Sequence, residues 1–126
     1  MVEYVAAAAK NLAAGGVVLL APQAGREPSL YPAKLRTVEF FIKQMRRKHI
    51  NDVGYLLVGL GIAGESDYTT DRARGHNFGR TFTVKIGETY LQNEIIELSK
   101  ASGLSIDHWV YQQFEPLVPT NYVGSL

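Results

Sequence analysis

Arg26 is the side chain in this sequence whose setting most favours ligand binding. It lies in "APQAGREPSLYP", a loop that follows the apolar run Val17–Leu20. Such a run predicts a strand buried on both faces, and α/β folds bind ligands where these strands end. Ala24 and Gly25 let a ligand approach the backbone, and a guanidinium can donate two hydrogen bonds to a phosphate. The residues therefore predict a phosphate site at Arg26, with a solvent-exposed Arg in a Pro-rich turn as the alternative.

A second candidate is "GLGIAG", in which Gly59, Gly61 and Gly64 match the dinucleotide-binding pattern G-x-G-x-x-G after a predicted strand. In dinucleotide-binding folds this pattern is followed by a helix whose N-terminus lies beneath the pyrophosphate. The residues that follow, "ESDYTTDRARGHN", are poor helix formers. The alternative is a strand end whose backbone must be flexible or closely packed.

The remaining polar candidates are a basic cluster and a loop that pairs a carboxylate with an imidazole. Clustered cations can bind phosphate, lipid headgroups or RNA, or can form a solvated helix end; the cluster comprises Lys43, Arg46, Arg47 and Lys48. Asp71 and His76 flank "RARG" and could form a general base with its orienting group, or could simply be solvated. No pair among the three His has metal-ligand spacing, so no metal site is predicted.

Composition limits the class of protein. The chain has 126 residues, 46% of them hydrophobic and 20% charged, which fits one soluble domain. A net charge of +1 gives no strong electrostatic case for nucleic acid, and the lack of Cys excludes disulfides and a thiol nucleophile. No apolar run approaches the roughly 20 residues of a membrane-spanning helix. The N-terminus has no signal-peptide pattern.

Hydrophobic periodicity predicts seven elements in the order α-β-α-β-β-α-α. They are a helix over residues 3–14, a strand at Val17–Leu20, a helix over 34–48, a strand at Tyr55–Ile62, a strand at Thr81–Ile86, and helices over 90–102 and 106–114. The first two strands flank a helix and are expected to be parallel, which makes the fold α/β, a partial layered sheet with flanking helices. Residues 1–126 are expected to form one incomplete domain, because three strands make a thin sheet.

The same patterns assign inward faces and helix ends. The expected buried positions are Leu35, Val38, Phe41, Ile42 and Met45 in the second helix, Phe82, Val84 and Ile86 in the last strand, and Leu91, Ile95 and Leu98 in the third helix. Gly103 is expected to end the third helix and Ser105 to cap the fourth.

The stretch "LAAGGVVLLAPQAGREPSL" resembles the third conserved block of the glycerolipid acyltransferases, the lysophosphatidic acid acyltransferase-like family. That block is a strand followed by Phe-Pro-Glu-Gly-Thr-Arg-Ser. Aligned without gaps, Pro22 matches the Pro, Gln23 the Glu, Ala24 the Gly, Gly25 the Thr and Arg26 the Arg.

Two later blocks follow in the same order. The strand at Tyr55–Ile62 occupies the place of the family's fourth block, with Gly59 where the family has Pro. "FTVKIGETY" is similar to a late strand and turn, which Val84, Ile86, Gly87 and Glu88 match. The resemblance covers roughly residues 5–100.

The resemblance implies transfer of an acyl group from acyl-CoA or acyl-carrier protein to the hydroxyl of a glycerol phosphate in phospholipid synthesis. The substrate-binding residues it implies are Gln23, Ala24, Gly25 and Arg26, with Arg26 on the acceptor's phosphate and Gln23 as a neutral substitute for the family's Glu. It implies no metal and no cofactor beyond the acyl thioester. The expected partner is a glycerophospholipid acceptor, and the expected location is the cytoplasm, with contact at a membrane surface left open.

The family's catalytic His-x-x-x-x-Asp pair has no counterpart here, since no His is followed by Asp at that spacing; Asp71 and His76 have the reverse order. We therefore assign no catalytic residue and expect the C-terminal part of an acyltransferase, inactive alone. The alternative is a non-enzymatic nucleotide- or phosphate-binding α/β module.

Overall fold

The computed structural model describes residues 2–21, 36–62 and 82–118. This part of the chain is an α/β arrangement of four helices, one short 3₁₀ turn and one two-stranded sheet. The elements are α1 (Val2–Ala13), α2 (Thr37–Arg47), β1 (Gly54–Ile62), β2 (Phe82–Leu91), α3 (Gln92–Ser102), α4 (Ile106–Phe114) and the turn Glu115–Leu117. Within these ranges, no helix combines the length and hydropathy that crossing a membrane requires.

The first predicted strand is wrong. Val17–Leu20 belongs to no helix and no sheet of the described residues, although its alternating exposure is that of an extended segment. Val18 and Leu20 pack towards the core, whereas Val17 and Leu19 are each 89% exposed. A strand buried on both faces needs neighbouring strands, and the only sheet within the described ranges is antiparallel rather than parallel.

Strands β1 and β2 pair in antiparallel register from Gly54–Leu91 to Ile62–Phe82. The register shifts between Leu56 and Val58, so that two β2 residues, Gly87 and Glu88, lie opposite Leu57. This shift is a β-bulge, which adds local twist to the sheet. Gly87 therefore lies at a bulge within β2 rather than at the end of a strand.

The core forms on one face of this sheet, called here the inner face, on which Leu57, Gly59 and Gly87 lie. Its two clusters of buried side chains are Val38, Ile42, Leu57, Ile95, Trp109 and Val110, and Val5, Ala8, Ala9, Phe41 and Met45. Helix α2 contributes to both clusters, because its apolar residues recur with the helical period. The predicted stripe of Val38, Phe41, Ile42 and Met45 is confirmed, and Leu35 lies outside the described residues.

Two other predicted inward faces are wrong in part. In β2, Val84 and Ile86 are exposed, because no described element covers that side of the sheet. Of the three positions predicted for the third helix, Leu91 belongs to β2 and is exposed, Leu98 is exposed and Ile95 is buried. Strand β2 continues to Leu91, so the helix starts later than predicted and buries Gln92, Ile95 and Ser99 instead.

Both predicted helix ends are confirmed. Gly103 follows α3 with φ of 74°, a left-handed conformation that glycine adopts without steric cost. The Ser105 hydroxyl accepts a hydrogen bond of 3.2 Å from the backbone N–H of His108 at the start of α4. These caps fix the short connection that lets α3 and α4 pack together.

Candidate functional site

The four predicted substrate-binding residues, Gln23, Ala24, Gly25 and Arg26, lie outside the described residues. The structure does describe the chain on each side of them. The extended segment before them ends at Ala21, and the chain after them enters α2 through Arg36. These two anchors bracket the candidate loop.

Helix α1 holds the extended segment that leads into the loop. The Asn11 side-chain amide donates a 2.8 Å hydrogen bond to the carbonyl oxygen of Val17, and the Tyr4 hydroxyl donates to the carbonyl oxygen of Leu19. Val18 and Leu20, which alternate with these two residues, are partly buried against the core. Side chains of α1 thus satisfy backbone groups that a neighbouring strand would otherwise pair.

The chain leaves the loop at a strained position. Arg36 has φ of 49°, the left-handed region that non-glycine residues seldom adopt. Its side chain lies 3.9 Å from the Glu39 carboxylate, which also pairs with Lys43 at 3.3 Å. Exposed pairs of this kind contribute little stability.

A buried carboxylate occupies the N-terminus of α2. The Asp107 side chain is 4% exposed and accepts hydrogen bonds from the backbone N–H groups of Val38, at 2.9 Å, and Glu39, at 3.1 Å. Burial raises the pKa of Asp107 above its ordinary 3.8, while these two hydrogen bonds act in the opposite direction. A helix N-terminus is a general anion site, and here the protein's own carboxylate fills it.

This arrangement restricts how the loop could hold a phosphate. Two backbone N–H groups that would otherwise face an anion at the start of α2 already bind Asp107. Those two N–H groups are therefore not available to a phosphate, and among the side chains of residues 22–35 Arg26 is the one with a fork of donors. Sequence patterns gave no signal for Asp107 beyond an acid in the first turn of a short helix.

Packing accounts for part of the "GLGIAG" pattern. Gly59 and Gly61 lie inside β1, paired with Lys85 and Thr83, and Gly64 lies outside the described residues. A Cβ at Gly59 would overlap the carbonyl oxygen of Leu117 and would lie 2.6 Å from the Leu117 Cβ. Two of the three glycines thus occupy a strand rather than a turn above a helix, and Gly59 is required because the 3₁₀ turn lies directly on it.

A small cavity of about 270 Å³ lies between β2 and this turn. Its polar groups are Glu88, Tyr90 and Gln113, and the Tyr90 hydroxyl donates a 3.4 Å hydrogen bond to the Gln113 side-chain oxygen. Tyr90 also packs edge-on against Trp109 with ring centroids 5.1 Å apart. No charged side chain is buried in this cavity, so the cavity has few groups that could select a particular polar ligand.

The basic cluster lies at the exposed end of α2. Lys43, Arg46, Arg47 and Lys48 are all exposed, and Lys43 pairs with Glu39. The positions complement the negative end of the helix dipole. This placement suits a solvated helix end and equally leaves the cations accessible to an anionic surface.

Neither a metal site nor the loop base gains support. Within the described ranges, no group of three His, Asp or Glu side chains could hold a metal ion. Asp71 and His76 both lie outside those ranges. Their pairing stays a prediction.

A buried Gln is a second polar residue that sequence patterns missed. Gln92 is fully buried; its side-chain oxygen accepts from the Tyr55 hydroxyl at 2.7 Å, and its amide donates to the Ile50 carbonyl at 3.1 Å. Burial raises the pKa of the Tyr55 hydroxyl well above its ordinary 10.0. The pair joins β1 to α3 within the core.

Comparisons with protein-family models, with curated proteins and with solved structures find no match for this chain.

Proposed function

We propose that this chain is the C-terminal part of a glycerolipid acyltransferase and supplies the acceptor-binding loop rather than the catalytic base. In that role Arg26 binds the phosphate of a glycerol-phosphate acceptor, and Gln23 hydrogen-bonds its glycerol. Ala24 and Gly25 keep the backbone close to the ligand. The acyl group comes from acyl-CoA or acyl-carrier protein.

One structural observation carries the proposal: α1 anchors an extended segment immediately before the Arg26 loop, and α2 starts immediately after it. The resemblance to the acyltransferases predicts this order. The same order continues with β1 and then β2, whose Val84, Ile86, Gly87 and Glu88 match the late block. The extended segment is not paired as a strand, so the support lies in the order of elements.

The chemistry explains why this chain should be inactive alone. Acyl transfer to a hydroxyl needs a base positioned to remove the hydroxyl proton. The three His are followed five positions later by Gly54, Thr81 and Gln113, none of which can orient an imidazole as a carboxylate does. In the acyltransferase family the base is the His of the His-x-x-x-x-Asp block, so under this proposal it comes from another segment of a longer protein.

The basic cluster fits this role as a secondary feature. Acceptors of this class reside in membranes, and exposed Lys and Arg are attracted to anionic headgroups by about 1 kcal/mol each. The four cations at the end of α2 are exposed as such contact requires. They would hold the loop near its substrate without entering the membrane.

The source DNA provides the test. We expect an in-frame His-x-x-x-x-Asp upstream of the codon for Met1, and an extended product that transfers an acyl group from acyl-CoA to lysophosphatidate. The 126-residue chain should show no transfer in a single-turnover assay. A stop codon in frame directly before Met1, or transfer by the 126-residue chain itself, would contradict the proposal.

A further inference from the structure

The side of the sheet opposite the core carries an uncovered apolar surface, called here the outer face. It consists of Leu56, Val58 and Leu60 in β1 and Val84 and Ile86 in β2, which are between 40% and 69% exposed. Register places Val58 beside Ile86 and Leu60 beside Val84, so the five side chains are contiguous. The inner face of the same strands is covered, with Leu57 buried and the 3₁₀ turn lying on Gly59 and Gly87.

The size of the outer face indicates an interaction surface. The five exposed side chains leave roughly 500 Å² of apolar surface in solvent, which matches the largest patches on monomeric proteins, and such patches are often functional. Isolated exposed apolar residues need no explanation, but five adjacent ones on two paired strands do. Antiparallel sheets that have one face in water usually carry polar residues on that face.

The chemistry of the outer face restricts its partner. None of its five side chains is charged or polar, and Thr89, which pairs with Leu56, adds one hydroxyl at the edge, so a charged partner would lose more hydration than this surface can replace. A second copy of this chain presents an identical apolar face, and two-fold packing makes one patch complementary to itself. Two such patches together would bury roughly 1,000 Å², the lower limit for a specific interface.

We infer that two copies of this chain associate through their outer faces, so that two β1–β2 sheets stack as the layers of a small sandwich. Stacked sheets lie about 10 Å apart with interdigitated side chains, which suits branched residues such as these. The inference concerns the 126-residue chain and does not rest on the proposed function. Arg26→Ala is accordingly expected to leave the association unchanged.

Sedimentation equilibrium over about a hundredfold range of concentration tests this inference, because dimerisation follows mass action. We expect the wild-type chain to form a dimer and Ile86→Lys and Leu60→Glu each to weaken it at least tenfold. Leu98→Lys is the matched control, since Leu98 is 42% exposed on α3, away from the outer face. Circular dichroism should show an unchanged fold in all variants, because each site is already exposed.

Three results would overturn the inference. One is a wild-type chain that stays monomeric across the range. Another is a dimer that Ile86→Lys and Leu60→Glu weaken no more than Leu98→Lys does. A third is a monomer that binds phosphatidylcholine–phosphatidylglycerol vesicles and loses that binding on Ile86→Lys, which would assign the outer face to lipid.

Discussion

Gly59→Ala tests whether packing rather than nucleotide binding explains the glycine pattern in β1. The new Cβ would overlap the carbonyl oxygen of Leu117 and lie 2.7 Å from its carbonyl carbon, so the 3₁₀ turn must move. Overpacking of this kind costs about 1–3 kcal/mol, and the gain from replacing glycine in a strand offsets about 0.5–1 kcal/mol. Because the obstructing atoms belong to the backbone, the cost should lie at the upper end of its range, so we expect a net fall in the free energy of unfolding of about 2 kcal/mol.

Urea unfolding of matched variants measures this loss. Gly54→Ala is the control in the same strand, because its Cβ would lie 3.3 Å from the Thr89 methyl and meets no backbone atom. We expect that variant to stay within about 0.5 kcal/mol of wild type. Unfolding should be monitored at one protein concentration.

A second pair of variants distinguishes backbone from side-chain obstruction. At Gly87 the nearest atom to a new Cβ is Leu117 Cδ1, at 2.8 Å, so Leu117→Ala should relieve much of the cost of Gly87→Ala. Leu117→Ala should not relieve Gly59→Ala, because the carbonyl remains in place. Wild-type stability for Gly59→Ala, or its full rescue by Leu117→Ala, would refute the described packing of the turn.

Three further predictions concern the buried polar groups. Asp107→Ala should lower the free energy of unfolding by about 3 kcal/mol, because it leaves two helix N–H groups unpaired. Asp107→Asn should lower it by about 1 kcal/mol, because one acceptor remains. Equal losses for the two variants in urea unfolding would contradict this reasoning. The pKa of Asp107 is higher in the folded state than its ordinary 3.8, so the folded state binds a proton more readily than the unfolded state does. The stability of wild type relative to Asp107→Asn should therefore increase as the pH falls from neutral. The increase should be complete below pH 3.8. A pH-independent difference would show that the pKa is not raised. Gln92→Leu should cost about 2 kcal/mol by leaving the Tyr55 hydroxyl unpaired, and Tyr55→Phe should recover part of that loss in a double-mutant cycle; additive losses would exclude the contact.

Local patterns predicted the helices well and the sheet poorly. The stripe of Val38, Phe41, Ile42 and Met45 follows from helical period alone, and Gly103 and Ser105 act through bonds within one or two turns. Whether an extended run becomes a strand depends on distant partners, and here Val17–Leu20 has none within the described residues. The alternation of apolar and polar residues in β2 identified the two faces of the strand correctly, but it does not determine which face the helices cover.

The buried polar residues show the same limit. Asp107 bonds to Val38 across 69 positions and Gln92 bonds to Ile50 across 42, so neither role has a local signature. The role of Gly59 likewise depends on Leu117, which only the fold brings against it. Of the candidate site, the sequence supplies the identity of Arg26 and the structure supplies the two anchored ends of its loop.

Calorimetric titration with glycerol 3-phosphate tests most directly whether Arg26 binds an acceptor's phosphate. We expect the wild-type chain to bind, and Arg26→Ala to weaken binding by roughly 10- to 100-fold, as loss of a charge-assisted bond does. Arg26→Lys should fall between them, because an ammonium cannot form the bidentate contact. Arg47→Ala removes the same charge from the exposed end of α2 and should leave affinity nearly unchanged. Absence of wild-type binding, or equal losses for Arg26→Ala and Arg47→Ala, would contradict the account.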